Sequence, residues 1–167
     1  MSSILDQGQY GENQLNQWFQ QGGFSYVAIC QSPESFSQLF QGNVKRPDFL
    51  LLLESIGLIA VDAKNYTPSH SGGYTLKLDE ELTRSIAFER LFRIPIWYAY
   101  YSPSCWHWIS ALKALQVGVR RTNSLDGSEF IAIDIIHFEQ IQSPADIARL
   151  YTHRLPGISV ISAFGTR

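Results

Sequence analysis

Residues 47–66, PDFLLLLESIGLIAVDAKNY, constrain the fold of this chain more than any other stretch. Two apolar runs, 49–53 and 56–63, flank the polar pair Glu54 and Ser55, the pattern of two strands joined by a short turn. Neither run alternates between apolar and polar residues. Strands that are apolar on both sides are covered on both faces, so the pattern predicts a β-hairpin inside a central sheet with helices packed against each side.

The flanking sequence supplies the other layers. In residues 11–21, Leu15, Trp18 and Phe19 recur at i, i+3 and i+4, as in a helix with one apolar side, and Gly22 and Gly23 stop it. FSYVAIC, residues 24–30, has strand length and composition. A polar connection over 31–46 carries a helical turn near 35–40, and a Ser, Gly and Pro rich loop occupies 67–74. Residues 79–93 read as a helix, with Asp79, Glu80 and Glu81 at its positive end and Arg90 and Arg93 toward its C-terminus. IPIWYAYY, residues 94–101, reads as a buried strand. Beyond Pro103, WHWISALKALQVG suggests a shorter helix, 130–138 a strand, 144–154 a short helix and 157–164 a final strand. This order predicts one α/β domain over residues 1–167 with a mixed sheet flanked by helices.

The 167 residues suffice for one hydrophobic core, and a 45% hydrophobic composition fits a globular chain. A formal net charge of −2 argues against a protein that coats nucleic acid by bulk electrostatics. It leaves room for a metal site, whose carboxylates are locally neutralised. No apolar run reaches membrane-spanning length and MSSILDQGQYGEN lacks a basic segment followed by an apolar run, so neither a membrane span nor a secretory signal is expected. Cys30 and Cys105 are too isolated for a disulfide framework, and Cys30 is expected to be a buried thiol. A cytoplasmic setting is expected.

Chemistry concentrates at one end of the hairpin. Asp62 and Lys64 point the same way from their strand and Ala63 the other. With the turn at 54 and 55, antiparallel pairing places Asp48 beside residues 61–63. Two carboxylates held that close repel one another unless a cation joins them. Mg²⁺ suits them, since it takes oxygen ligands and often binds through one or two carboxylates plus waters. Lys64 is then placed to orient or deprotonate a water, or to offset negative charge.

Pro47-Asp48 followed by Asp62-Ala63-Lys64 resembles the signature of the PD-(D/E)XK nuclease superfamily. The resemblance covers roughly residues 10–101, with additions over 102–167. It implies a restriction endonuclease-like core and metal-dependent endonuclease action on phosphodiester bonds in DNA, with Mg²⁺ as cofactor and Mn²⁺ as a substitute. By the same resemblance Asp48 and Asp62 are metal ligands and Lys64 is catalytic. Gly11-Glu12 matches the acidic position of the first core helix, which adds Glu12 as a direct or water-mediated ligand.

Lys45, Arg46, Lys77, Arg84, Arg120 and Arg121 are the candidates for phosphate contacts. Trp97, Tyr98, Tyr100, Tyr101, Trp106 and Trp108 form an aromatic concentration for stacking on bases, for self-association into a homo-oligomer or for a partner in a larger complex. His70 lies where a phosphate could approach, and Asp134 is expected to be structural. Two other readings stay open: a non-catalytic or partner-dependent binding module on the same fold, and an RNA-directed nuclease.

Overall fold

In the computed structural model, which describes residues 4–35, 37–54, 56–69 and 72–152, a six-stranded mixed sheet forms the centre of the chain. Helix α1 (Ile4–Gln21) leads into β1 (Ser25–Ala28), followed by the hairpin of β2 (Phe49–Leu53) and β3 (Gly57–Lys64). Next come β4 (Gly73–Lys77), a π-helical turn (Leu78–Thr83) and α2 (Arg84–Phe92). Then follow β5 (Ile96–Ser102), β6 (Cys105–Ser110), α3 (Ala111–Val117), β7 (Val119–Thr122), β8 (Glu129–Asp134), β9 (Glu139–Ile141) and α4 (Arg149–Thr152). The large sheet runs β1-β2-β3-β5-β6-β9, with β3 and β5 parallel and the other pairs antiparallel. A second, antiparallel sheet runs β4-β8-β7.

Both faces of the large sheet are covered, as the unbroken apolar runs of the hairpin predict. Leu51, Ile59, Val61, Trp106 and Trp108 pack under Leu15 and Phe19 of α1. On the opposite face Ala60, Tyr98 and Tyr100 meet Leu82, Phe88 of α2, Ala111 and Ala114 of α3, and Leu76, Ile131 and Ile133 of the small sheet. The turn from β2 to β3 closes at Gly57, whose φ of 121° is one that side-chain-bearing residues rarely adopt. Among the described residues no helix is long and apolar enough to cross a membrane.

Several local expectations need correction. The helix expected beyond Pro103 is confined to α3, because Cys105–Ser110 pairs with β5 as a strand. An apolar run flanked by aromatics fits either period, and pairing with β5 decides it; Ser110 then caps α3 by accepting the Lys113 N–H (3.2 Å). The strand expected to reach residue 138 ends at Asp134, whose carboxylate accepts the Ile136 N–H (3.1 Å) and opens a 3₁₀ turn, Ile135–His137. In place of the helix expected over 144–154, the described residues 144–152 divide into a 3₁₀ stretch, Pro144–Ala148, and α4. The loop expected to 74 already becomes β4 at Gly73, where a Cβ would lie 2.3 Å from the Ile133 carbonyl oxygen. Cys30 is exposed, since it lies beyond β1, an edge strand. Hydrogen bonding with Ser32, with smaller help from Ser35 and Arg46, lowers its thiol pKa to about 7. The strand expected over 157–164 and His70 lie outside the described residues.

Candidate active site

The register of the hairpin decides which residues meet. Phe49 pairs with Val61, so the next step outward sets Asp48 beside Asp62. The Asp48 N–H donates to Val61 O (3.0 Å), and the Ala63 N–H donates to the Asp48 carboxylate at Oδ2 (2.8 Å). Gln31 steadies the approach by donating from Nε2 to Pro47 O (3.0 Å). Asp62 and Lys64 share a face, level with Tyr98 and Tyr100 of the parallel neighbour β5. Packed against that wall, Asp62 is 2% exposed and Lys64 6%.

Glu12 reaches the same place from the opposite layer. Helix α1 crowds the end of β3 at Gly11, where a Cβ would stand 3.1 Å from Asn65 Cβ. That close approach brings Glu12 to a cleft of about 220 Å³ that it lines with Lys45, Asp48, Asp62, Lys64 and Glu81. A larger side chain at residue 11 must push helix and strand apart. Gly11→Val is expected to lower stability by ~1–3 kcal/mol, the range for overpacking a tight contact, as read by urea unfolding. An unchanged urea midpoint would show that the approach is looser than the structure has it.

An ion-pair network fills the floor of the cleft. Lys45 Nζ lies 2.9 Å from Asp62 Oδ1 and Lys64 Nζ 2.6 Å from Asp62 Oδ2. Lys64 Nζ also donates to Glu81 Oε2, which lies 3.6 Å from Lys45 Nζ. Glu81 is the participant that sequence reasoning missed, having been assigned only to the acidic start of a helix. It projects from the π-helical turn, and that backbone irregularity has no distinct sequence mark. Lys45, expected as a phosphate contact, belongs to this network.

Burial opposes charge on Asp62, but Lys45 and Lys64 more than compensate and hold its carboxyl below the ordinary value. Asp48 behaves oppositely. Burial, then repulsion from Asp62 and Glu12, raise it well above the usual carboxylate range. Burial and Asp62 likewise raise Glu12. Burial disfavours charge on Lys64, yet Asp62 and Glu81 keep its ammonium protonated far above neutral pH. Four carboxylates therefore line the cleft against two ammonium groups, and the repulsion is borne by Asp48 and Glu12.

A hard divalent cation fits these residues. The donors are carboxylate oxygens, the ligand type Mg²⁺ selects. Asp62 Oδ2 is buried without a hydrogen bond, its contact with Lys64 being a close ion pair of poor hydrogen-bond alignment. Among the described residues no three Asp, Glu, His or Cys side chains stand together at metal-holding positions. Two carboxylates with waters are enough for Mg²⁺.

The remaining basic candidates are dispersed. Arg46 donates to Ser35 Oγ (2.6 Å), Lys77 pairs with Glu80 (2.7 Å), and Arg120 forms a two-bond pair with Glu129. Arg84 is half-buried at the start of α2, and Arg121 is exposed on β7, at the edge of the small sheet. The aromatic concentration is mostly core: Trp108, Tyr98 and Tyr100 are fully buried, and Trp97 and Trp106 nearly so. No family model matches the chain, and a search of curated proteins finds no relative.

Proposed function

We propose that the chain is a metal-dependent endonuclease with a restriction endonuclease-like core, hydrolysing phosphodiester bonds in DNA. The observation that carries this reading is the juxtaposition of Asp48 and Asp62 across adjacent strands, with Lys64 on the Asp62 face and Glu12 in the same cleft. Asp48 and Asp62 would hold Mg²⁺ or Mn²⁺, and Glu12 would act through a water. When bound, such a cation lowers the pKa of water and offsets charge on phosphate oxygens.

The chain's own residues define the rest of the chemistry. Lys64 is held between two carboxylates and keeps its proton, so its part is to orient the attacking water and offset phosphate charge. Lys45 adds a second cation on the same side. The Ala63 N–H fixes the Asp48 carboxylate, and Tyr98 and Tyr100 wall off solvent beneath Asp62 and Lys64.

Purified protein is expected to cut at least one of supercoiled, linear, single-stranded or branched DNA with Mg²⁺ or Mn²⁺, and to spare RNA. Failure on every DNA substrate with both metals sinks the enzymatic reading. One observation favours a different reading, a non-catalytic module on the same fold: Asp62 is ion-paired with both Lys45 and Lys64. Calorimetry separates the two, since the nuclease binds Mn²⁺ and the module does not.

A further inference from the structure

The π-helical turn, Leu78–Thr83, borders the cleft through Glu81. A π turn inserts an extra residue into helical geometry, is rare, and recurs at functional sites. Here it sits where β4 ends and α2 begins, and Glu81 projects from it into the cleft. Its backbone is pinned from the large sheet. Tyr98, level with Asp62 on β5, has its hydroxyl 3.4 Å from Glu81 O and 2.7 Å from Ser85 Oγ. Lys45 is tied to the same segment by its N–H, which donates to Arg84 O (3.0 Å).

We propose that Glu81 is a positioning residue of the cleft: from the π turn its carboxylate holds the Lys64 ammonium in place and keeps Lys45 beside it. An ammonium has three N–H donors on a flexible four-carbon stem. Asp62 alone restrains that stem from one side. Glu81 supplies the second anchor, so that the ammonium is held by an ion pair to Asp62 on one side and by a hydrogen-bonded carboxylate on the other. Asp62 is common to both lysines, and Glu81 is the only other carboxylate paired with both among the described residues. The catalytic meaning of this arrangement rests on the nuclease reading; the positioning itself does not.

The test is the rate at which each lysine is methylated by formaldehyde and borohydride, followed by mass spectrometry on the full chain. Lys64 is expected to be protected in the wild type and to react at least tenfold faster in Glu81→Gln, with Glu81→Asp between them. Glu80→Gln, altering an exposed neighbour on the same turn that pairs with Lys77, is expected to leave the Lys64 rate unchanged. Thermal unfolding confirms that each variant is folded. Equal Lys64 rates in the wild type and a folded Glu81→Gln protein overturn the proposal. So does a tenfold loss of Mn²⁺ affinity by calorimetry with Lys64 still protected, which would make Glu81 a ligand instead. If the wild type cuts no DNA while Glu81→Gln unmasks Lys64, the nuclease reading fails and the positioning stands. If the wild type cuts, Glu81→Gln is expected to lower kcat at least tenfold with KM unchanged.

Discussion

Asp48→Asn is expected to unfold at a higher temperature than the wild type in metal-free buffer, while Mg²⁺-dependent cleavage falls by ~10²-fold or more, the upper end of what even outer partners of a metal site cost. Burial and the charges of Asp62 and Glu12 raise the folded-state pKa of Asp48 above its ordinary value. The folded protein then binds this proton more tightly than the unfolded chain does. The stability it contributes is complete below the unfolded value and is lost as pH rises through the folded one. Asparagine has no such loss and can still accept the Ala63 N–H. The stability gap between variant and wild type therefore opens as pH rises through that window. Mg²⁺ should reverse the order, because a ligand of the native state stabilises only the protein that binds it. Thermal unfolding from about pH 4 to about pH 8, with and without Mg²⁺, reads all of this. An asparagine variant less stable than the wild type at neutral pH without metal would show that Asp48 is a structural anchor.

Lys64→Met pairs the other large effects. Cleavage is expected to fall by ~10²–10³-fold, as when one preorganised donor to a developing anion is removed. Stability should fall too, because methionine keeps the stem but leaves Asp62 and Glu81 facing each other without the cation between them. Breaking a buried pair from one side typically costs ~3–5 kcal/mol. Asp62 keeps Lys45, so about 3 kcal/mol is expected, at the low end of that range. Urea unfolding and single-turnover cleavage report the two losses separately. Retained cleavage in a folded Lys64→Met protein would remove Lys64 from the mechanism. The contrast between Asp48 and Lys64 is the distinctive signature: one variant gives up activity for stability, and the other loses both.

Much of the frame was legible in the residues. Unbroken apolar runs around Glu54 and Ser55 announced a hairpin covered on both faces, and strand parity put Asp62 and Lys64 on one side. Other stretches were ambiguous in themselves. Cys105–Ser110 carries two tryptophans and an isoleucine at spacings that suit either period, and only pairing with β5 made it a strand. Gly73 and Tyr74 read as the end of a loop, and no strand was expected over Gly73–Lys77, because it is short and its partner, β8, lies more than fifty residues away.

The sequence by itself determined the local quantities at this cleft: the turn, the alternation of side chains, and a pair of acids near one strand end. These depend on neighbours along the chain and on period two. Tertiary structure decided everything that depends on distance across layers. It set Glu12 against the end of β3 through Gly11, and drew Lys45 out of a polar connection onto Asp62. It brought Glu81 from a helix start to Lys64, and sent the aromatic concentration inward to the core. Charge interactions follow separation in space and burial, neither of which is written along the chain. Two aspartates that look equivalent in sequence are accordingly pushed in opposite directions, Asp62 toward ionisation and Asp48 toward its proton.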